Sequence, residues 1–222
     1  MTKTYPLNHY ANKNKIEKVI YTLKAYIQTA QDLANYQWFL FFTTMQFNKN
    51  ANTKHIQSSL SERYKQTCQY QVVSVLKSYI SNRQNDFVEV VVNSSLSNDI
   101  KRKLLLINAY KFWFAKGEFS LVKTRITVTE SELKLARKIF KHIMKKHRKP
   151  SFSHINMQLD SKVALIKEKE PDKAKEFDYW IRLSTIQKGN PIYIPLKSNS
   201  YWESIKGKRK NFCQINLDRH GN

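Results

Sequence analysis

Apolar positions along the chain fall into two regimes, a long one with spacings of three and four and a short one with a spacing of two. From Lys15 to Phe42, Ile16, Val19, Ile20, Leu23, Ile27, Ala30, Ala34, Trp38 and Phe41 keep the first spacing, which predicts one long amphipathic helix with Asn14 as its cap. Tyr64, Cys68, Val72, Val75 and Tyr79 repeat it in a second helix, expected from Leu60 to Phe87 behind a Ser59-x-x-Glu62 capping box. Val90, Val91 and Val92 read as its end or as a short strand, because β-branched side chains suit either. A third helix, from Ile100 to Phe114, is capped by Ser97, carries Leu104, Ile107 and Trp113, and is ended by Gly117. The fourth runs from Glu130 to Lys149 behind Thr129-x-x-Glu132, with Leu133, Ala136, Phe140, Ile143 and Met144 on one face.

Beyond Pro150 the period changes to two. Ile155, Met157 and Leu159 alternate, as do Phe177, Tyr179, Ile181 and Leu183, then Ile192, Ile194 and Leu196, then Cys213, Ile215 and Leu217. The expected strands are Tyr179 to Leu183, Ile192 to Leu196 and Phe212 to Leu217, the first two joined by a turn at Lys188-Gly189-Asn190. Pro191 and Pro195 lack a backbone donor, which places their strand at an edge or a bulge. Lys167 to Glu176 reads as a charged excursion, and Ser198 to Lys210 as a polar loop ending in Lys206, Lys208, Arg209 and Lys210. At the other end of the chain, Tyr5, Leu7 and His9 alternate in a short first strand that Pro6 keeps at an edge, and that strand is expected to pair with the C-terminal sheet.

Charge changes the picture more than composition does. The chain carries 39 Lys and Arg against 17 Asp and Glu, a formal +22 that points to a polyanionic partner. Between Lys101 and Lys149 fifteen basic residues face three acids, a net +12, so the excess is a patch. Lys101, Arg102 and Lys103 sit near the start of the third helix, where cations oppose the macrodipole and a bound phosphate would relieve them; a solvated basic face is the alternative. On the fourth helix Lys134, Arg137, Lys138, Lys141, Lys145, Lys146, Arg148 and Lys149 run without an acid among them beside the apolar stripe, the pattern of a phosphate-contacting surface. Trp38, Phe39, Phe41 and Phe42 form either core or a base-stacking platform.

Other chemistry is sparse. Cys68 and Cys213 stand alone, with neither a disulfide framework nor a CxxC zinc site. His142 and His147 are five apart, off the spacing that puts two ligands on one helix face. The sequence has no P-loop, GxSxG or GxGxxG, no cofactor signature, no apolar run of membrane-span length and no secretory leader, so a cytoplasmic protein is expected.

The aromatic strand, the turn Gly189-Asn190-Pro191-Ile192-Tyr193-Ile194-Pro195-Leu196-Lys197 and the basic loop after it resemble the TnpB family, transposon-encoded RNA-guided DNA nucleases related to type V CRISPR effectors. The resemblance implies an α+β fold in which a helical recognition lobe, residues 13–150, is inserted into a small split β-barrel, the wedge domain, formed by residues 1–12 and 151–222. It implies structured guide RNA and target DNA as partners. The family's catalytic acids belong to a following RuvC-like domain that these residues do not include, so binding without cleavage is expected. A stand-alone nuclease-dead repressor would share the same binding residues, and a complete small enzyme would need an acid, His or Cys cluster that the sequence does not display.

Overall fold

The computed structural model describes residues 7–117, 119–121, 126–168, 176–187, 189–204 and 212–215. The fold is α+β, with helices predominating and small antiparallel sheets. Helices α1 (Lys13–Thr44), α2 (Glu62–Val92), α3 (Asn98–Tyr110) and α4 (Glu130–Lys146) form on the segments that periodicity marks, the valines at 90–92 complete α2, and α4 ends before Lys149 because His147 is already extended. Two caps lie two residues from their expected positions. Asn12 Oδ1 accepts the Lys15 N–H at 3.0 Å at the start of α1, and Ser61 takes the place expected of Ser59 at α2, its hydroxyl accepting the Tyr64 N–H at 3.4 Å. With Ser61 as the cap, Glu62 is the first residue of the helix and stands too early to close a capping box, and its carboxylate pairs with Lys65 at 2.6 Å.

The chain divides into two compact units, one taking in Met1–Leu33, Asn50–Gln71 and Phe152–Asn222, the other Ala34–Lys49 and Val72–Ser151. Both α1 and α2 contribute a part to each, whereas the resemblance implies that both belong whole to residues 13–150.

In the first unit, β3 (Met157–Asp160) pairs with β7 (Phe212–Ile215), and β4 (Ala164–Glu168), β5 (Tyr179–Leu183) and β6 (Ile192–Leu196) form a three-stranded sheet. The described strands do not close into a barrel. Lys167 and Glu168 belong to β4, opposite Trp180 and Tyr179, so the charged excursion begins later than expected and its residues 169–175 lie outside the described ones. A short helix, α5 (Ser200–Ser204), occupies part of the expected loop. The inward positions of β5 and β6 are buried, as are Leu23, Tyr26 and Ala30 of α1 and Tyr64 and Cys68 of α2 in the same unit. The Tyr26 hydroxyl donates to Gln71 Oε1 at 2.7 Å, and Gln71 Nε2 donates to the Asn156 carbonyl at 3.0 Å, so these two buried side chains are matched.

Tyr5 and Pro6 lie outside the described residues, but the segment that follows them reaches β6: His9 bridges Leu196 in antiparallel sense, with Tyr10 N–H donating to the Pro195 carbonyl at 2.9 Å. In an antiparallel pair a residue's donor and acceptor point to the same side, so the donor that Pro195 lacks is the one Tyr10 would receive. Among the described residues the pairing is this single bridge, with Lys197 N–H donating to the Asn8 carbonyl at 3.4 Å on its other side.

The second unit is built on Leu76, Ile80, Phe87 and Val91 of α2, Leu104 and Ile107 of α3, and the buried face of α4. Trp113 lies in a 3₁₀ turn, Phe112–Phe114, and stacks on Phe140 with centroids 3.9 Å apart and planes 8° from parallel. Helix α3 ends earlier than Gly117, at Lys111, whose left-handed φ of 60° lets its N–H return to the carbonyls of Ile107 and Asn108. Gly117, at φ 75°, turns the chain into a hairpin of β1 (Phe119–Leu121) and β2 (Ile126–Val128) that the periodicity does not announce.

Candidate nucleic-acid interface

Helix α4 is fixed at its start by a complete capping box. Thr129 Oγ1 accepts the Glu132 N–H at 3.4 Å, while Glu132 Oε2 accepts the Thr129 N–H at 2.8 Å. Glu130 and Glu132 occupy the positive end of the helix, and Lys145 and Lys146 the negative end, so both termini suit the macrodipole. Leu133, Ala136, Phe140 and Ile143 are buried. At roughly 100° per residue, Lys134, Lys138, Lys141 and Lys145 fall within about 60° of one another on the opposite side.

The structure separates the basic residues into two groups. Lys138, Lys141, Lys145, Lys146 and Arg148 are exposed and make no ion pair with any described residue. Arg102 on α3 is likewise exposed, beside a shallow groove formed with Leu105, Leu106 and Ile126. The remaining cations are engaged. Arg137, expected to face outward, is half-buried instead: its Nε donates to the Trp113 carbonyl at 3.0 Å and its Nη2 to that of Ala115 at 2.8 Å, satisfying the end of the 3₁₀ turn. Lys103 pairs with Glu132 at 2.9 Å and Asp99 at 3.0 Å, and these two carboxylates hold its ammonium above the ordinary lysine range. Lys101 Nζ donates to the Val92 carbonyl at 2.9 Å, and Lys134 pairs with Glu130 at 3.1 Å. Lys206, Lys208, Arg209 and Lys210 lie outside the described residues.

Like charges three and four apart on a helix cost a few tenths of a kcal/mol each. Glu130 offsets that cost at Lys134, but the spacings 138/141 and 141/145 accumulate it with no acid between them, which a polyanion would reverse. A helix of this length, 17 residues, lies along roughly 25 Å. Duplex nucleic acid presents about fifteen charges over that distance, so each free cation can meet a phosphate.

The aromatic cluster on α1 splits by helical phase. Trp38 and Phe41, 9% and 1% exposed, continue the inner stripe, whereas Phe39 and Phe42 are 62% and 43% exposed. Lys149 Nζ lies 5.1 Å from the Trp38 ring centroid and 5.9 Å from that of Phe42. Where the chain leaves α4, the Tyr79 hydroxyl donates to the His147 carbonyl at 3.1 Å, and His147 Nε2 is 3.3 Å from Asp86 Oδ2, which also meets Arg83. His142 is exposed. Among the described residues no three His, Cys, Asp or Glu side chains converge as a metal site would require, and no helix is long and apolar enough to cross a membrane.

The class of site this defines is a basic helical face with aromatic residues at one end. Comparison with known protein families, with characterised proteins and with solved structures gives no match.

Proposed function

We propose that the chain is a nucleic-acid-binding module of the kind found in the amino-terminal, wedge and recognition half of TnpB-like proteins, holding guide RNA and target DNA by their backbones without cutting them. The observation that carries this reading is the row of five exposed cations, on and just after α4, that have no ionic partner among the described residues. The bridge between His9 and Leu196 supports the finer architecture, a helical lobe inserted into a split barrel-like domain, because it joins the two ends of the chain around residues 34–49 and 72–151. In this reading protein contacts set position on the backbone, and base pairing supplies most of the sequence choice.

Salt-dependent binding tests it. Five neutralised phosphates give a slope of log affinity on log salt of roughly −3.5 for single strands to −4.5 for duplex. Structured RNA is expected to bind more tightly than random single strands of equal length, and plasmid DNA to stay intact in magnesium. A slope near zero refutes the reading, and nicking abolished by chelation refutes its non-catalytic part.

A further inference from the structure

The free cations account for attraction to a backbone, but they do not account for the phenylalanine rings of Phe39 and Phe42, left in solvent on the same unit. Phe42 is held by neighbours on several sides: Trp38 lies nearly parallel, 5.7 Å away at 22°, while Phe41 and Phe114 meet it at 5.6 and 5.4 Å with planes 71° and 87° apart. Those contacts fix the ring's orientation and still leave 43% of the residue exposed. Phe39, one helical turn earlier, is more exposed still. The Lys149 ammonium lies over both Trp38 and Phe42, so the cationic end of α4 and the exposed ring share one place.

A fixed ring with an adjacent cation matches a nucleotide, whose base offers a π-face and whose phosphate offers the counter-charge. A second copy of this chain would bring its own strongly positive surface to the same spot, and an apolar protein partner would leave Lys149, Arg148 and Lys146 without a counter-charge. Bases inside a duplex have both faces covered, so the ligand this arrangement suits is an unpaired one.

We infer that Phe42, backed by Trp38 and flanked by Lys149, is a stacking site for an unpaired base at the end of the basic face of α4. This rests on the nucleic-acid-binding reading and adds that the bound strand is single at that point. The test compares an oligothymidylate with a chain of abasic sugar phosphates of equal length and charge, at one salt concentration, by fluorescence anisotropy. The wild-type protein should prefer the oligothymidylate. Phe42→Ala should weaken that binding about tenfold while leaving the abasic chain within about twofold and the salt slope unchanged. Phe42→Tyr, which keeps a π-face, should retain the preference, and circular dichroism should show both variants folded. Equal wild-type affinity for the two probes, or an equal loss on both in Phe42→Ala, overturns the stacking site while leaving backbone binding in place. No salt-dependent binding of either probe overturns both.

Discussion

Lys103 Nζ stands 2.9 Å from Oε1 of Glu132, so the acid that completes the cap of α4 also ties that helix to α3. Burial alone would raise the Glu132 carboxyl, but the Thr129 N–H and the Lys103 ammonium outweigh it and hold the group below the ordinary glutamate range. A lowered folded-state value means that the stabilisation is present above the unfolded value, about 4.3, and is lost as pH falls through the folded one. Glu132→Ala should therefore cost about 1 kcal/mol at neutral pH. The gap between wild type and variant should close in acid, as read by urea denaturation across pH. Lys103 works in the opposite direction: its contribution holds below about pH 10.4 and fades as pH rises through its raised value.

Arg137 and its neighbours on α4 should separate stability from binding. Arg137→Gln removes two hydrogen bonds to carbonyls of the turn that carries Trp113 and should destabilise the fold by about 2 kcal/mol. The triple variant Lys138→Gln, Lys141→Gln, Lys145→Gln should leave the melting temperature unchanged or slightly raised and flatten the salt slope by roughly two to three units. If the two variants exchange these effects, the division of α4 into structural and free cations is wrong.

Cys213, half-buried on β7, has its thiol pushed up to about 11 by burial. At pH 8 that leaves on the order of one molecule in a thousand as thiolate, against about a quarter for an ordinary thiol. Cys68 is fully buried and shifted in the same direction. Native protein should therefore react with an aromatic disulfide reagent far more slowly than denatured protein, in which both thiols should titrate at once.

Tyr26→Phe removes the donor to Gln71 Oε1 and leaves that buried acceptor without its 2.7 Å partner. The expected cost is about 1–2 kcal/mol, measured as a shift in denaturation midpoint at constant slope. A neutral result would mean that Gln71 turns to another donor.

Much of this arrangement is legible in the sequence because the inner stripes of the helices are long. Leu133, Ala136, Phe140 and Ile143 announce the buried face of α4, and the Thr129–Glu132 pair announces its start. The caps of α1 and α2 are harder to place. Asn12 and Asn14, like Ser59 and Ser61, offer the same chemistry two residues apart, and tertiary packing selects between them. The β1–β2 hairpin has strands of three residues, too short to display a period. Arg137 lies on the flank of the apolar stripe, and only the tertiary approach of the 3₁₀ turn converts it from a free cation into a bonded one. Phase along α1 distinguishes Phe42 from Phe41, but the fixed orientation of its ring comes from Phe114, far away in sequence.

The bridge from His9 to Leu196 joins positions 187 apart in the chain. During synthesis, the unit that begins first must therefore finish last. Residues 34–49 and 72–151 are all translated once residue 151 is made, whereas β7 awaits residue 215. At about 5–20 residues per second, the strand-bearing unit trails by roughly 3–13 s. Through that interval the nascent chain carries the already translated segment of α4 while the sheets that its N-terminal segment will join are still incomplete.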